Sequence, residues 1–368
     1  MKIVIFGLTI SSSWGNGHAT LWRGLCRALT QRGHDIVFFE RDASWYAGAR
    51  DLTEMPGGGE LIIYPDWQSV LRRAREHVKT ADVAVVTSYC PDAIVASEFV
   101  LDSNVARRVF YDLDSSVTLA RVAAGEQVEY VGANGYRGFD LVLSYTGGAA
   151  LDQLKSVLGA SNVAPLYGSV DPATHSPVAP TDDFRGTVSY MGTWSADRDH
   201  ALRTRFIEPA RRLPGERFLI GGSKYTSDFE WLPNIYFLNH VPPAFHSAFF
   251  CSSKLTLNVT RAPMAALGYC PSGRLFEAAA CGAPILSDDW QGLDYFYEPG
   301  REILIADSVD EAMAAIARDP ADLADIGRAA RERTLDCHTA AIRAKELEQL
   351  LESVQPNTDP VGASLCGA

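Results

Sequence analysis

Basic residues are in short supply in this chain. Lys and Arg number 33 against 45 Asp and Glu, and the formal net charge is -12. General binding to nucleic acids or membrane surfaces needs a basic face, so this balance argues against both roles. An anionic ligand would have to be held by a local cluster of basic side chains.

Paired cysteines and long apolar runs are also missing. The seven cysteines are scattered, odd in number and without a C-x-x-C pair. This pattern argues against a disulfide framework and against a zinc site. No apolar run approaches membrane-spanning length, and the run from Met1 to Gly7 is too short for a signal peptide. We therefore expect a cytoplasmic protein with reduced thiols and with neither a structural nor a catalytic metal.

The chain does contain a regular alternation of strand-like and helix-like segments. Apolar runs of strand length lie at 2–6, 35–40, 61–64, 81–87, 108–111, 141–145, 187–191, 217–220, 235–238, 254–259, 284–287 and 302–305. Helical periodicity marks 19–32, 68–79, 148–158, 198–212, 310–317, 320–333 and 339–354. This alternation predicts an α/β fold with parallel sheets covered on both faces.

The length of 368 residues is sufficient for two domains. Prolines and polar residues between Gly168 and Gly186 break the pattern, which then restarts, and we place the linker there. We predict an N-terminal domain over 1–175, a C-terminal domain over 176–338, a terminal helix over 339–354 and a disordered tail over 355–368.

The stretch from Pro271 to Asp289 is the most informative part of the sequence. Ser272 is a candidate N-cap, and Gly282 suits the left-handed position that ends a helix. The following Ile285 and Leu286 have the character of a buried parallel strand. The stretch therefore predicts a loop, a short helix, a turn and a strand.

One face of this predicted helix is polar. Gly273, Arg274 and Glu277 fall on it at spacings of three and four. Open N–H groups and a guanidinium beside a carboxylate can hold a phosphate at the helix end and a sugar hydroxyl one turn further in. The alternative is an ordinary surface ion pair between Arg274 and Glu277, and these residues alone do not favour either interpretation.

In open parallel sheets, ligands bind beyond the carboxyl ends of the strands. The basic residues at this edge of the second domain are Arg198, Lys224, Arg261 and Arg274. Several of them converging on one site would suit a diphosphate, although each alone is more often a solvated surface residue.

The corresponding edge of the first domain carries His18 and two acidic residues. His18 follows two glycines at a helix start, where it could act as a base or a donor, or simply pack against Trp14 or Trp22. Asp112 and Asp114 follow a strand and could bind acceptor hydroxyls. The alternative is that Asp114 or a following serine caps the next helix.

A dinucleotide enzyme is a competing interpretation. Gly15, Gly17 and Thr20 resemble a degraded G-x-G-x-x-G, and Glu40 ends the next strand, where a ribose-binding acid would stand. However, the third glycine is missing, and the motif lies well past the end of the first strand. We therefore do not favour a nicotinamide or flavin enzyme.

The residues from Ser272 onward also carry a family resemblance. The run S-G-R-L-F-E-A-A-A-C-G-A-P-I-L-S-D-D-W-Q-G-L, followed by F-Y-E-P-G-R-E-I-L, resembles the donor module of GT-B glycosyltransferases. It is most similar to the CgeB-like, spore-maturation-type family. G-N-G-H-A-T-L-W-R-G-L, S-Y-T-G-G-A and Y-G-S-V-D-P in the first domain resemble the same family. The likeness extends over roughly residues 1–350.

The resemblance implies two Rossmann-like, doubly wound domains facing across a cleft. The N-terminal domain would be the acceptor side and the C-terminal domain the donor side, with the terminal helix packing back on the N-terminal domain. Glu277 matches the ribose-binding second Glu of the E-x7-E motif of retaining members. The first Glu is replaced by Tyr269, which leaves retaining chemistry open.

The resemblance and the local chemistry together assign three groups of candidate residues. The candidate catalytic residue is His18, and the acceptor-side residues are Asn16, Gly17, Asp112 and Asp114. The donor-binding residues are Gly192, Thr193, Arg198, Lys224, His240, Val241, Asn258, Arg261, Ser272, Gly273, Arg274 and Glu277.

The resulting hypothesis is a metal-independent hexosyl- or pentosyltransferase without a cofactor. It would use a nucleotide-diphosphate sugar and an unidentified small-molecule, glycan or protein acceptor, with no nucleic-acid partner and no integral membrane segment. Two alternatives remain: a GT-B-like epimerase acting on the nucleotide sugar, and a non-catalytic nucleotide- or glycan-binding protein.

Overall fold

A computed structural model describes residues 1–355 of the chain. The tail predicted to be disordered lies almost entirely outside these residues. The described chain forms two compact units. The first comprises Met1–Ser12, Trp22–Tyr167 and the chain from Arg343 onward, and the second comprises Ser13–Leu21 and Gly168–Ile342. The domain limits at 175 and 338 stay predictions.

The first unit is built on a seven-stranded parallel sheet of order β3-β2-β1-β4-β5-β6-β7. Its strands are β1 (Lys2–Gly7), β2 (Asp35–Arg41), β3 (Glu60–Tyr64), β4 (Val83–Thr87), β5 (Arg107–Asp112), β6 (Leu141–Ser144) and β7 (Val163–Pro165). The helices between them are α1 (His18–Gln31), α2 (Ser44–Ala47), α3 (Trp67–Val78), α4 (Ala93–Leu101), α5 (Ser115–Ala123) and α6 (Ala149–Leu158).

The second unit contains a six-stranded parallel sheet of order β10-β9-β8-β11-β12-β13. Its strands are β8 (Gly186–Met191), β9 (Phe218–Gly222), β10 (Ile235–Asn239), β11 (Ser253–Asn258), β12 (Ile285–Ser287) and β13 (Leu304–Ile305). Its helices are α7 (Asp199–Leu202), α8 (Glu208–Arg212), α9 (Pro243–Cys251), α10 (Ala262–Leu267), α11 (Gly273–Ala280), α12 (Leu293–Phe296), α13 (Val309–Ile316) and α14 (Pro320–Cys337).

The last helix, α15 (Ala340–Ser353), crosses the division of the chain into units. Its residues from Arg343 onward group with the first unit. Within that unit, Glu348 accepts hydrogen bonds from Arg32 and pairs with His34 Nε2 at 2.6 Å. The prediction that the terminal helix packs against the first domain stays a prediction.

The α/β class and the parallel sheets predicted from the alternating pattern are confirmed. Strand interiors are fully buried apolar runs, as in β4 and in β6, because helices cover both faces of a parallel sheet. Between Gly168 and Gly186 the structure has no strand, only a 3₁₀ turn at Asp182–Phe184.

Several elements differ from the predicted ones. The helix predicted at 198–212 is divided by a π turn at Arg203–Ile207, and the one predicted at 320–333 continues to Cys337. The prediction also missed α2, α4, α5, α9, α10, α12 and β7. Helix α9 begins at Pro243, and adjacent prolines conceal such a start because Pro is tolerated in a first turn.

The sequence predicted neither a membrane-spanning segment nor a disulfide framework, and residues 1–355 bear on both. Within this range, no helix is long and apolar enough to cross a membrane. The six cysteines of this part of the chain are free thiols.

Candidate functional site

Helix α11 opens as its sequence predicts. The Ser272 hydroxyl accepts the backbone N–H of Arg274 at 3.3 Å, so Ser272 is the N-cap. Gly282, just beyond the C-cap, adopts a left-handed φ of 72°. The apolar residues Leu275 and Phe276 are buried. The remaining face directs Arg274 and Glu277 toward polar groups of the second unit.

The side chain of Arg274 binds neutral groups rather than a carboxylate. Its Nε donates to the Met191 carbonyl, its Nη1 donates to Asn258 Oδ1 at 2.9 Å, and its guanidinium carbon lies 4.9 Å from the centre of the Tyr190 ring. No carboxylate lies within 4.0 Å of this guanidinium among residues 1–355. The predicted alternative of a simple Arg274–Glu277 ion pair therefore does not describe the structure.

The charge of a second arginine, Arg198, acts on Arg274, and Arg198 also makes no ion pair within residues 1–355. Arg198 Nη1 donates to the Thr193 carbonyl at 2.7 Å, and its buried Nε has no hydrogen-bond partner. Burial and then the nearby charge of Arg198 lower the pKa of Arg274. The charge of Arg198 therefore acts on Arg274, and two guanidiniums placed in this way can hold an anion.

The backbone beside these arginines is tightly packed. A Cβ on Gly192 would lie 2.5 Å from Tyr190 Oη and 2.9 Å from Arg274 Nη2, and a Cβ on Gly222 would overlap the Gly192 carbonyl oxygen. Tyr225 Oη donates to the same carbonyl at 3.0 Å. The glycines at these two strand ends therefore allow the backbone to approach the basic pair closely.

The other two basic candidates behave differently. Arg261 Nε pairs with Asp197 Oδ2 at 3.0 Å, so its charge is already neutralised. Lys224 is exposed and has a φ of 63°. Of the four basic candidates, Arg198 and Arg274 therefore form the pair that could bind an anion. Arg261 is less suited to this role because Asp197 already neutralises its charge.

The donor-binding candidates His240 and Val241 follow β10. His240 has a φ of 65° and donates its N–H to the Gly222 carbonyl at 2.9 Å. Val241 is buried, and its carbonyl lies 3.0 Å from His246 Nε2. The buried Asn258 joins β11 to β12 by donating to Ser287 Oγ at 2.9 Å.

Glu277 is held by several polar groups of the same unit. The Thr20 hydroxyl donates to Oε1 at 2.9 Å, and His175 Nε2 lies 3.9 Å from the same oxygen. Burial opposes ionisation, but His175, His246, Thr20 and Arg274 outweigh it, so the pKa of Glu277 lies below its usual value. The side chain is 12% exposed, and Oε2 has no hydrogen-bond partner among the described residues.

The glycine loop before α1 groups with the second unit. It includes the candidates Asn16 and Gly17, and the candidate His18 and Thr20 follow in the first turn of α1, which belongs to the same unit. The Asn16 side chain accepts the N–H of His18 at 3.1 Å, and the Thr20 hydroxyl also lies 3.1 Å from the Gly17 carbonyl. The Thr20 bond to Glu277 therefore links this loop to α11.

Of the two acidic candidates of the first unit, Asp112 is buried and Asp114 is partly buried. Asp112 is fully buried and accepts hydrogen bonds from Tyr136 Oη at 2.8 Å and from Thr118 Oγ1 at 3.1 Å. Burial raises the pKa of Asp112 to about 6. Asp114 stands at the N-cap of α5, but its side chain makes no capping bond. Binding of an acceptor by Asp112 or Asp114 stays a prediction.

The acid of the competing dinucleotide interpretation is already engaged. Glu40 is fully buried, and its carboxylate accepts the N–H groups of Ile10 at 2.8 Å and Ser11 at 2.9 Å. A carboxylate fixed to the loop after β1 is not presented to a ribose, so the structure argues against this interpretation.

Tyr269 occupies the place where a first motif Glu would stand. Its φ is 45°, and its ring lies over Gly292, where a Cβ would be 2.6 Å from the ring. The Tyr269 N–H donates to the Gln291 carbonyl at 2.7 Å. The backbone turn is therefore supported by packing, without a carboxylate at this position.

Sequence reasoning missed three polar residues of this site. Thr20, His175 and His246 all surround Glu277, yet they come from the glycine loop, the proline-rich linker and a helix that begins with proline. His175 and His246 are 71 residues apart, and no motif spacing joins them. For Thr20, the sequence offered one local indication, its place in the first turn of the helix predicted after Gly17.

The fold and the site define an α/β protein of GT-B architecture with two Rossmann-like units. Residues 201–349 match a family model described as glycosyl transferase-like. No curated protein matches the sequence.

Solved structures resemble the chain over nearly its whole length. Sucrose-phosphate synthase from Thermosynechococcus elongatus is 14% identical with a TM-score of 0.68, and the match covers 96% of this chain and 98% of that one. Anabaena HepE, solved with UDP-glucose, is 14% identical with a TM-score of 0.67 over 96% and 100% of the two chains. An alpha-glucosyltransferase solved with UDP is 13% identical with a TM-score of 0.70 over the same shares.

Proposed function

We propose that this protein is a glycosyltransferase that uses a nucleotide-diphosphate sugar, and that UDP-glucose is the first donor to test. The observation that carries the proposal is the close pair Arg198 and Arg274, which has no carboxylate partner within 4.0 Å in residues 1–355. Such a pair suits a diphosphate, because phosphate oxygens accept strong charge-assisted hydrogen bonds from guanidinium.

The match of 201–349 to a glycosyl transferase-like family model supports the reaction class. The structures of HepE with UDP-glucose and of alpha-glucosyltransferase with UDP support the choice of donor. A CgeB-like relationship, suggested by the motif from Ser272 onward, is part of the same proposal. Alpha-glucosyltransferase has also been solved with DNA, but a net charge of -12 disfavours nucleic acid as the acceptor here.

In the proposed reaction, a hydroxyl of the acceptor attacks the anomeric carbon, and the bond to the diphosphate breaks. Negative charge develops on the leaving diphosphate, where Arg198, Arg274 and the N–H groups at the start of α11 stabilise it. Glu277 Oε2 accepts a ribose hydroxyl and so positions the nucleotide. His18 is the proposed base or donor near the transferred sugar.

A non-catalytic nucleotide-binding protein is the second candidate. It is favoured by one observation, the ring of Tyr269 in the place of the first motif Glu. A nucleotide-sugar epimerase is a third, and it would convert the donor with no acceptor present.

The test is incubation with UDP-glucose and other nucleotide sugars, with and without candidate acceptors, while released nucleotide and new sugar products are measured. Transfer or slow donor hydrolysis supports the proposal, and His18→Ala should lower turnover on the order of a hundredfold with little change in UDP affinity. Nucleotide binding without any turnover would support the non-catalytic alternative. Absence of nucleotide binding would overturn both.

A further inference from the structure

Three potential metal ligands meet beside α11. His175, His246 and Glu277 each offer one donor atom, and these atoms lie within 4.8 Å of one another. His175 is 2% exposed and His246 is 7% exposed, and they reach the cluster from the linker segment and from α9. Two buried imidazoles beside a carboxylate form a ligand set rather than a group of solvated side chains.

The hydrogen bonds decide which imidazole nitrogens carry protons. His246 Nε2 lies 3.0 Å from the Val241 carbonyl, which can only accept, so this nitrogen carries the proton and Nδ1 keeps a lone pair. His175 Nε2 lies 3.1 Å from that Nδ1 and therefore donates to it. Glu277 Oε1 is 3.9 Å from the same His175 nitrogen.

We propose that His175 Nε2, His246 Nδ1 and Glu277 Oε1 form a binding site for a divalent transition-metal ion, most suitably Zn²⁺. Bonds of about 2.0–2.2 Å place neighbouring ligands of a tetrahedral Zn²⁺ site roughly 3.3–3.6 Å apart. Two of the three ligand separations, 3.1 Å and 3.9 Å, lie on either side of this range, and the third is within 4.8 Å. Two imidazoles and one carboxylate leave a fourth position for water or a ligand.

Metal binding requires one proton of His175 to move. An ion at His175 Nε2 displaces the proton there, which moves to Nδ1, so the imidazole stays neutral. Nδ1 of His175 is buried and has no hydrogen-bond partner at present. Asp171, whose charge acts on His175, is a candidate acceptor for the new N–H.

The surroundings orient two of the three ligands. The His246 N–H to the Val241 carbonyl is the kind of contact that fixes the tautomer of metal-binding histidines. The Thr20 hydroxyl holds Glu277 Oε1 at 2.9 Å. Arg274, one helical turn earlier, is directed to Met191 and Asn258 instead of to this carboxylate.

The metal site does not depend on the proposed glycosyltransferase function. The ion would use Oε1 of Glu277, whereas the proposed ribose contact uses Oε2. Metal binding can therefore be measured without nucleotide, and nucleotide binding can be measured after chelator treatment.

The test uses the full chain, stripped with a chelator and titrated with Zn²⁺ or Co²⁺. We expect metal binding to saturate at one equivalent. Bound Co²⁺ should give the strong visible absorption of a four-coordinate ion. His175→Gln and Glu277→Gln should each weaken binding by about tenfold to a hundredfold or more. The matched control is His200→Gln, because His200 is an exposed imidazole of the same unit.

The contrary results are equally specific. A Co²⁺ spectrum like that of the hydrated ion, or no saturation at one equivalent, overturns the proposal. The same holds if His200→Gln weakens binding as much as the cluster variants do. If circular dichroism shows that His175→Gln does not fold, the wild-type Co²⁺ spectrum and Glu277→Gln decide the matter.

Discussion

Replacing Arg274 by Met separates an anion-binding role from a structural one. The substitution removes the charge and keeps an aliphatic side chain of similar reach. In the wild type, within residues 1–355, the guanidinium bonds only to the Met191 carbonyl and to Asn258 Oδ1, and burial and then Arg198 lower its pKa. The variant therefore loses no ion pair with a carboxylate in this range.

The expected effects differ for affinity and for stability. Loss of one or two charge-assisted hydrogen bonds to phosphate, at about 1.5–3 kcal/mol each, should weaken UDP binding by at least about tenfold. The two bonds from this charged guanidinium contribute about 1.5–3 kcal/mol each, but the variant no longer buries a charge beside Arg198, which offsets much of their loss. We expect the free energy of unfolding to fall by less than about 3 kcal/mol.

Calorimetric titration with UDP and urea unfolding of the free protein measure the two effects. Arg274→Lys should be intermediate in affinity, because it keeps the charge but not the planar fork. Arg212→Met is the control, since Arg212 forms an exposed pair with Asp310 and such pairs contribute about 0–1 kcal/mol. Unchanged UDP affinity in a folded Arg274→Met variant would refute the reasoning.

Two further predictions concern stability in each unit. Because burial raises the folded-state pKa of Asp112 from 3.8 to about 6, this residue stabilises the fold fully below pH 3.8, and that contribution disappears as pH rises through 6. We therefore expect the free energy of unfolding of Asp112→Asn, measured by urea titration, to rise relative to that of the wild type by up to about 3 kcal/mol between pH 4 and pH 7. A difference between the two proteins that does not change with pH would contradict this. Gly222→Ala should destabilise the second unit by about 1–3 kcal/mol, because its Cβ overlaps the Gly192 carbonyl oxygen, whereas an unchanged melting temperature would show that the loop shifts freely.

The local features of the donor helix were predictable because they depend on neighbouring residues. Ser272 caps α11 because its hydroxyl can accept a first-turn N–H, and Gly282 takes the left-handed position just after the helix because it has no Cβ. The parallel sheets were predictable from fully apolar strands such as β4, since only a strand covered on both faces lacks polar alternation.

The contacts around Glu277 were not predictable because they join distant parts of the chain. Thr20 reaches Glu277 across 257 positions, and His175 meets His246 across 71. The ion pair of Arg261 with Asp197 likewise removed one member of the expected basic cluster. Periodicity reports which face of an element is buried, whereas such polar partners are set by tertiary packing.

The most direct test of the donor site is UDP affinity of Glu277→Ala in chelator-treated protein, measured by calorimetry beside its melting temperature. We expect UDP to bind the wild type and to bind the variant roughly tenfold to a hundredfold more weakly, as loss of a charge-assisted hydrogen bond to ribose requires. Glu277→Gln should lose less, because its amide oxygen can still accept from the ribose. Equal UDP affinity of wild type and a well-folded Glu277→Ala variant would contradict the placement of the nucleotide on α11.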